Sequence, residues 1–185
     1  SSSAPPLVGD PRDPRRHRRG EQVLQICKTG GDGQKDSERS TVSSKRDNRV
    51  DVSVIIVNWN TRDILRGCLN SIYEQTEGIG FEVIVVDNAS SDGSADMVRN
   101  EFPRVILIAN HKNSGFAAAN NQAMKIACGR YFLLLNPDTI VLEGAIQKSL
   151  AYAEKYPDIA VTGCQVWLNE NEIQPTCFSF PSAWH

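Results

Sequence analysis

Three polar clusters, each directly after an apolar run, hold the residues best suited to chemistry. Asn58, Asn60 and Thr61 follow VSVIIV, while Asp87, Asn88, Ser90, Ser91 and Asp92 follow VIVV. Asn136, Asp138 and Thr139 follow YFLLL. A fourth group, Asn113, Ser114 and Gly115, opens a small-residue segment that carries Asn120 and Asn121. A carboxylate such as Asp87 can accept hydrogen bonds from a pyrimidine imide or a ribose hydroxyl. Gly115 lets backbone come close to a ligand, and the N-terminus of a helix after it favours negative charge. Asp138, with the amide of Asn136 beside it, suits a hard cation that in turn holds phosphate. The competing reading is that these residues are turn formers and that Asp138 caps the next helix. Three such clusters on one rim favour a ligand site, because open α/β sheets bind ligands outside the carboxyl ends of their strands.

The periodicity supplies that rim. VSVIIVN (52–58), FEVIVV (81–86), Val105 to Ala109 and Tyr131 to Leu135 predict four strands. Between them, Thr61 to Gln75, Ser91 to Phe102 and Ser114 to Cys128 predict helices, and Leu142 to Tyr156 predicts one more before Pro157. On the first helix Ile64, Leu65, Cys68, Leu69 and Ile72 share a face, with Thr61 as its cap. The uniformly apolar YFLLL reads as a strand buried on both faces. Ile159 to Leu168 and Ile173 to Phe180 predict a C-terminal β-hairpin around Asn169-Glu170-Asn171. Alternating strands and helices of these lengths mean βαβ units and a mostly parallel sheet flanked by helices.

Residues 1–50 are rich in Ser, Gly, Pro, Arg and Asp and poor in aromatics, so they read as a disordered tail or linker. Their one apolar patch, Val23 to Cys27, predicts at most a transient helix or weak docking. This segment holds 11 Lys/Arg against 7 Asp/Glu, and residues 51–185 hold 9 against 15, giving +4 and −6. The acidic body argues against nucleic acid as a partner. The run Arg15, Arg16, Arg18, Arg19 reads as a solvated tail, with RNA or anionic lipid as the other partners it suits. Five cysteines with no CxxC pair point to free thiols in a reducing cytoplasm. No apolar run reaches the roughly 18 residues of a membrane span. The first strand is not followed by GxGxxG, and neither GxxxxGK[ST] nor GxSxG occurs. Dinucleotide oxidoreductases, P-loop nucleotidases and α/β-hydrolases are thereby disfavoured.

The ordered motifs VSVIIVNWN, VIVVDNASSDGS, NSGFAAANNQA and FLLLNPDT together resemble family 2 glycosyltransferases of the GT-A fold. They look most like the rhamnosyltransferase-like branch, in which NPD stands at the place of the DxD motif. The resemblance covers residues 51–185 and implies a Rossmann-like nucleotide-sugar-binding domain. It implies that Val57, Asn58 and Asn60 border the nucleobase and that Asp87, beside Asn88, hydrogen-bonds it. Asn113, Gly115 and Asn120 are similar to residues lining the donor pocket. Asp138 matches the last Asp of DxD and would bind Mg²⁺ or Mn²⁺ with the diphosphate, while Asn136 replaces the first Asp by a neutral ligand. Further implications are a donor such as dTDP-rhamnose, inverting transfer to a glycan or lipid-linked acceptor, and a cytoplasmic setting at the inner face of a membrane. A general base is expected downstream of NPD. Glu143, Glu154, Asp158, Glu170 and Glu172 fit helix surfaces or the hairpin turn, so no catalytic residue is assigned. The sequence therefore predicts a donor-binding part without its catalytic part, with residues 159–185 awaiting a further domain or partner. The alternatives are a non-catalytic nucleotide-sugar-binding module and a generic α/β protein whose rim residues are only caps.

Overall fold

A computed structural model describes residues Gln25–Lys28, 49–164, 166–169 and 172–174. Along the chain run β1 (Gln25–Lys28), β2 (Val52–Asn58), α1 (Arg62–Gln75), β3 (Phe81–Asp87), α2 (Ser94–Glu101) and β4 (Ile106–Ala109). They are followed by α3 (Phe116–Met124), β5 (Tyr131–Leu135), α4 (Ala145–Lys155), β6 (Val161–Gly163), β7 (Val166–Asn169) and β8 (Glu172–Gln174). The larger sheet has the order β4-β3-β2-β5-β1-β6, and β7-β8 form a separate antiparallel pair. Strands β4, β3, β2 and β5 are mutually parallel, as the alternation of elements predicts.

The period-2 pattern of the central strands divides the core in two. Val52, Val54 and Ile56 of β2, Val83 and Val85 of β3, and Tyr131, Leu133 and Leu135 of β5 face α1, α2 and α4. Ile55, Ile84 and Val86 point the other way, onto Ala119 and Ala123 of α3. The strand order reverses after β4, and right-handed crossovers then place α3 on the face opposite α1 and α2. One thin helix covers that second face, so Phe132 and Leu134 stay half-buried. YFLLL is therefore fully buried on one face only, which corrects the expectation of two.

Other expectations shift for local reasons. Ile64 is 51% exposed, and Leu65, Cys68, Leu69 and Ile72, joined by Ser71, form the buried stripe of α1. Three helices start later than predicted because left-handed glycines precede them: Gly93 (φ 82°), Gly115 (φ 82°) and Gly144 (φ 67°). The predicted strand Ile159 to Leu168 is interrupted. Its first part, β6, joins the large sheet, and its second, β7, pairs with β8. Trp167 is 50% exposed on that hairpin. Phe178, Phe180 and Trp184 lie outside the described residues.

The largest departure is β1. Gln25 to Lys28 fall in the stretch expected as tail or linker, yet they pair antiparallel with β5 on one side and β6 on the other. Without β1 both neighbours would present open edges, and the short QICK segment closes the ladder between them.

At the amino ends of the strands, Gly129 N–H donates to Ser53 Oγ at 2.8 Å. A Cβ on Gly129 would stand 2.5 Å from Ser53 N and 2.8 Å from Val52 C. Backbone cannot yield there as a side-chain tip could. Gly129→Ala is expected to destabilise the fold by about 1–3 kcal/mol, an overpacking cost read as a lower midpoint in urea.

Candidate functional site

The strand register brings the polar clusters to one rim. Asn58 pairs with Asp87, Asp87 with Ala109, and Ile56 with Leu135. The loops after β2, β3, β4 and β5 therefore leave the sheet at one level, on its carboxyl edge. The rim includes the β2/β5 boundary, where the strand order reverses.

Beneath this rim lies a buried polar layer. Asn58, fully buried, donates from Nδ2 to Asp87 Oδ1 at 3.0 Å and to Ser90 Oγ at 3.2 Å. Ser90 N–H donates to Asp87 Oδ2 at 3.0 Å, so both carboxylate oxygens have a partner within the protein. Asp87 is 3% exposed, and its remaining lone pairs are what it can offer a ligand. Thr61, predicted to cap α1, donates its hydroxyl to Asn58 Oδ1 at 2.6 Å instead. The first turn of α1 is served from the neighbouring loop, where Asp92 Oδ2 accepts from Arg62 N–H at 2.8 Å. Burial raises the pKa of Asp92, but hydrogen bonds from Ser94 Oγ and the Arg62 and Ser94 amides outweigh it, leaving the carboxyl below its ordinary value.

Asn88, 2% exposed, joins the second loop to the loop before α3. Its Oδ1 accepts from Ser114 N–H (3.0 Å), Ser114 Oγ (3.2 Å) and Asn110 Nδ2 (3.2 Å). Its Nδ2 donates to Asn113 Oδ1 (2.8 Å) and to the Gly115 carbonyl (3.4 Å). Ala89 next to it holds φ 65°, a left-handed conformation that costs a non-glycine residue roughly 1–3 kcal/mol. The Asn88 N–H to Asn58 O bond (2.8 Å) and the Ser90 N–H to Asp87 bond hold the chain in that conformation from both sides.

The structure thus divides the predicted site residues by exposure. Asn58, Asp87, Asn88 and Asn120 are buried frame, and Asn120 Nδ2 donates to the Phe116 carbonyl inside α3. Val57 is half-buried against the α3 face. Asn60, Asn113 and Gly115 are the exposed members. Asn60 (φ 53°) accepts from Ser91 N–H at 2.7 Å, fastening the first loop to the second. At Gly115, with φ 82° and ψ 165°, nothing stands within 4 Å of where a Cβ would be, so its backbone faces open space. Two aromatic residues stand exposed on the rim: Trp59, 54% exposed, inside the segment Val57 to Asn60 expected at the nucleobase, and Phe116, 57% exposed, which carried no assignment.

Asn136, Pro137 and Asp138 are half-exposed and form a turn closed by Thr139 N–H to the Asn136 carbonyl at 3.2 Å. Cys68 Sγ lies 3.8 Å from the Asn136 carbonyl, which sets this turn beside the inner face of α1. Burial, and after it the charge of Asp138, push the Cys68 thiol up to about 12. Asp138 lies seven residues ahead of α4, and Gly144 occupies that helix's cap position.

Residues 53–175 match the family model described as glycosyl transferase family 2. The chain belongs to that family. This family 2 chain is 34% identical over 132 residues to the poly(ribitol-phosphate) beta-glucosyltransferase of Bacillus spizizenii, covering 69% of this chain and 21% of that protein. Its fold is similar to S. aureus TarS 1-349 in complex with UDP-GlcNAc (TM-score 0.52, 26% identity, 58% of this chain, 32% of that one). It is also similar to a mannosyltransferase from Pyrobaculum calidifontis in complex with GDP-Man and Mn²⁺ (TM-score 0.51, 29% identity, 60% of this chain, 33% of that one). The chain spans less than half the length of the curated relatives it matches. The GT-A expectation holds, with helices on both faces of a four-stranded parallel sheet and a C-terminal hairpin.

Among the described residues of this family 2 chain, no three His, Cys, Asp or Glu side chains gather as a metal cage. One carboxylate and one amide oxygen, Asp138 and Asn136, fit an ion completed by phosphate oxygens and water. Among the described residues, the acidic side chains after Asp138 stand apart; Glu170 lies outside the described residues. Glu143 is within 3.6 Å of Lys148 on the surface. Glu154 pairs with Arg130, next to the amino end of β5 and away from the rim. Asp158 is exposed beyond α4, and Glu172 opens β8.

Proposed function

We propose that this chain binds the nucleotide-diphosphate sugar donor of a family 2 glycosyltransferase that transfers the sugar, with inversion, to a glycan or lipid-linked acceptor. The observation that carries this reading is the shared rim, where Asn58–Asn60, Asp87–Asp92, Asn113–Gly115 and Asn136–Asp138 meet at the carboxyl edge of a parallel sheet. The nucleobase lies over the loop after β2, with the faces of Trp59 or Phe116 available for stacking. Asn60 and Asn113 offer polar contacts at its edge, and Asp87 offers its remaining lone pairs. The open backbone at Gly115 and the start of α3 meet negative charge. Asp138, with the Asn136 amide oxygen, holds Mg²⁺ or Mn²⁺, which when bound neutralises charge on the leaving diphosphate. Solved structures carrying UDP-GlcNAc, or GDP-Man with Mn²⁺, support a nucleotide sugar and a divalent ion.

Within this reading the NPD sequence favours a dTDP-rhamnose-type donor by its resemblance to that branch. A relative that glucosylates poly(ribitol-phosphate) supports an envelope-polysaccharide acceptor. Work on lipid-linked acceptors would place the protein in the cytoplasm, peripheral to the inner face of the membrane. None of the described helices is long and apolar enough to cross it. A second reading, a non-catalytic nucleotide-sugar-binding module, is favoured by Glu154 facing Arg130 rather than the rim.

Titration of the chain with UDP, dTDP and GDP, with and without Mn²⁺, tests both. Binding of at least one nucleotide, tightened by Mn²⁺, is the expected result. Failure of all three to bind would overturn donor binding, and binding without sugar transfer or donor hydrolysis would select the module.

A further inference from the structure

The segment 136–141 carries Asp138, and both of its ends rest on one turn of α1. At one end the Cys68 thiol donates to the Asn136 carbonyl at 3.8 Å. At the other, Val141 N–H donates to Ser71 Oγ at 2.9 Å, and the Ser71 hydroxyl donates to the Cys68 carbonyl at 2.7 Å. Between them the side chain of Ile140 lies over Gly67, where an added Cβ would be 3.7 Å from Ile140 Cδ1. Cys68, Ser71 and Val141 are 0%, 6% and 3% exposed. The two Ser71 hydrogen bonds are therefore dry and hold their geometry without competition from water, while Ile140, 55% exposed, covers Gly67 from the solvent side.

Ser71 is the informative residue. It sits on the apolar face of α1, three residues after Cys68, where helical periodicity calls for an aliphatic side chain. Serine inside a helix competes with the backbone and adds little to helix stability. Here its hydroxyl meets a donor that the helix does not supply, the otherwise buried Val141 amide. Pro137 fixes φ within the segment, and the Thr139 N–H to Asn136 O bond closes its turn. With both ends and the centre constrained, Asp138 has little freedom left.

We propose that the Cys68–Ser71 turn of α1 is the positioning element for the Asp138 carboxylate, with Ser71 as its anchor. This rests on the reading of Asp138 as the residue that meets the metal-bound diphosphate. Ser71 does not touch the ligand and acts through where it holds Asp138. A carboxylate displaced by about 1 Å is a poor metal ligand, because hard cations require their oxygens within a few tenths of an ångström.

The test compares wild type, Ser71→Ala and Ser149→Ala. Ser149→Ala removes another helix hydroxyl, one bonded to the Ala145 carbonyl within α4 and in contact with Cys164 Sγ at 2.6 Å, with no contact to the segment 136–141 among its hydrogen bonds. For each, affinity for UDP, dTDP and GDP is measured by calorimetry with and without Mn²⁺, and amide exchange is followed at Val141. In Ser71→Ala the Mn²⁺-dependent gain in affinity is expected to fall about tenfold, in the range seen when groups behind metal ligands are removed. Its metal-free affinity should stay within twofold of wild type. Ser149→Ala should leave both unchanged. A gain retained within twofold in Ser71→Ala overturns the proposal.

Exchange at Val141 separates failure of the proposal from failure of the reading beneath it. If wild type binds nucleotide with no gain from Mn²⁺, the metal role of Asp138 falls. The anchor is then judged by exchange alone, expected at least tenfold faster at Val141 in Ser71→Ala. If that variant does not fold, wild type still decides. A Val141 amide as protected as the inner amides of α1 supports the anchor, and one exchanging like an exposed loop overturns it.

Discussion

Asp138→Ala is expected to remove the Mn²⁺-dependent part of nucleotide-diphosphate affinity, a loss of roughly 100-fold or more. Groups one shell behind a metal ligand already cost 10–100-fold, and Asp138 supplies the charged oxygen of a two-residue donor set. Metal-free nucleotide affinity should change little, because the loops after β2, β3 and β4 are fastened to one another without help from Asp138. Calorimetry with and without Mn²⁺ reads the two quantities separately, and an alanine variant that keeps its metal-dependent gain removes Asp138 from this role. The neighbouring position gives the converse experiment. Asn136 presents a neutral amide oxygen, so Asn136→Asp adds a charge to the ion's surroundings and should raise the Mn²⁺-dependent gain about tenfold, worth about 1.4 kcal/mol. Repulsion between two carboxylates without the ion should at the same time lower stability in chelator. Loss of stability in EDTA with recovery in Mn²⁺ would identify an ion shared by both side chains.

The strands that carry the site were legible because their signal is local. VSVIIVN and FEVIVV are β-branched runs ending in residues that cannot continue a buried ladder, and the register then aligns those ends without further information. β1 was illegible for the opposite reason. Nothing within QICK, its Arg-rich preceding segment or its Gly- and Ser-rich following one encodes pairing with β5 and β6, more than a hundred residues away. Helix starts were misread wherever a glycine takes positive φ, since Gly93 and Gly144 look in sequence like ordinary members of their segments. The site was read correctly as a place and incompletely as a structure. Asn and Asp after a strand announce a polar loop, but residue type does not tell a ligand contact from a beam. Asn58, Asp87 and Asn88 are beams, because their partners come from loops 22 to 32 residues apart. Ser71 was overlooked because a serine on a helix reads as solvated until its partner, Val141, is known.

Asn88 is where that distinction has its largest expected consequence. Asn88→Asp preserves size and shape but replaces the amide nitrogen that donates to Asn113 Oδ1 and the Gly115 carbonyl by an acceptor. Oxygen then faces oxygen in a setting 2% exposed, and one charge is buried without a cation. The three hydrogen bonds received by Oδ1 from Ser114 and Asn110 persist and offset part of this cost. Asn113 and Gly115 are exposed, and Asn113 Oδ1 keeps the Gly115 N–H at 2.9 Å, so the cost falls on the buried carboxylate of residue 88 itself. A buried polar group deprived of its partners costs about 1–3 kcal/mol, so the variant should lose about that much in urea unfolding at neutral pH. Protonation turns the carboxylic acid back into a donor, and a buried, unpaired Asp has a raised pKa. The loss should therefore shrink as pH falls through that raised value, the reverse of the usual acid destabilisation of a native carboxylate. Asn88→Ala tests the same residue without charge. It leaves Ser114 N–H and Asn113 Oδ1 without Asn88, frees the loop before α3, and should weaken nucleotide binding at least tenfold even without metal. Asp138→Ala leaves metal-free binding intact, so the two variants dissect the rim into a frame that shapes the nucleotide pocket and a turn that meets the diphosphate. Equal losses from both variants with and without Mn²⁺ would mean that frame and turn are one unit and that this division is wrong.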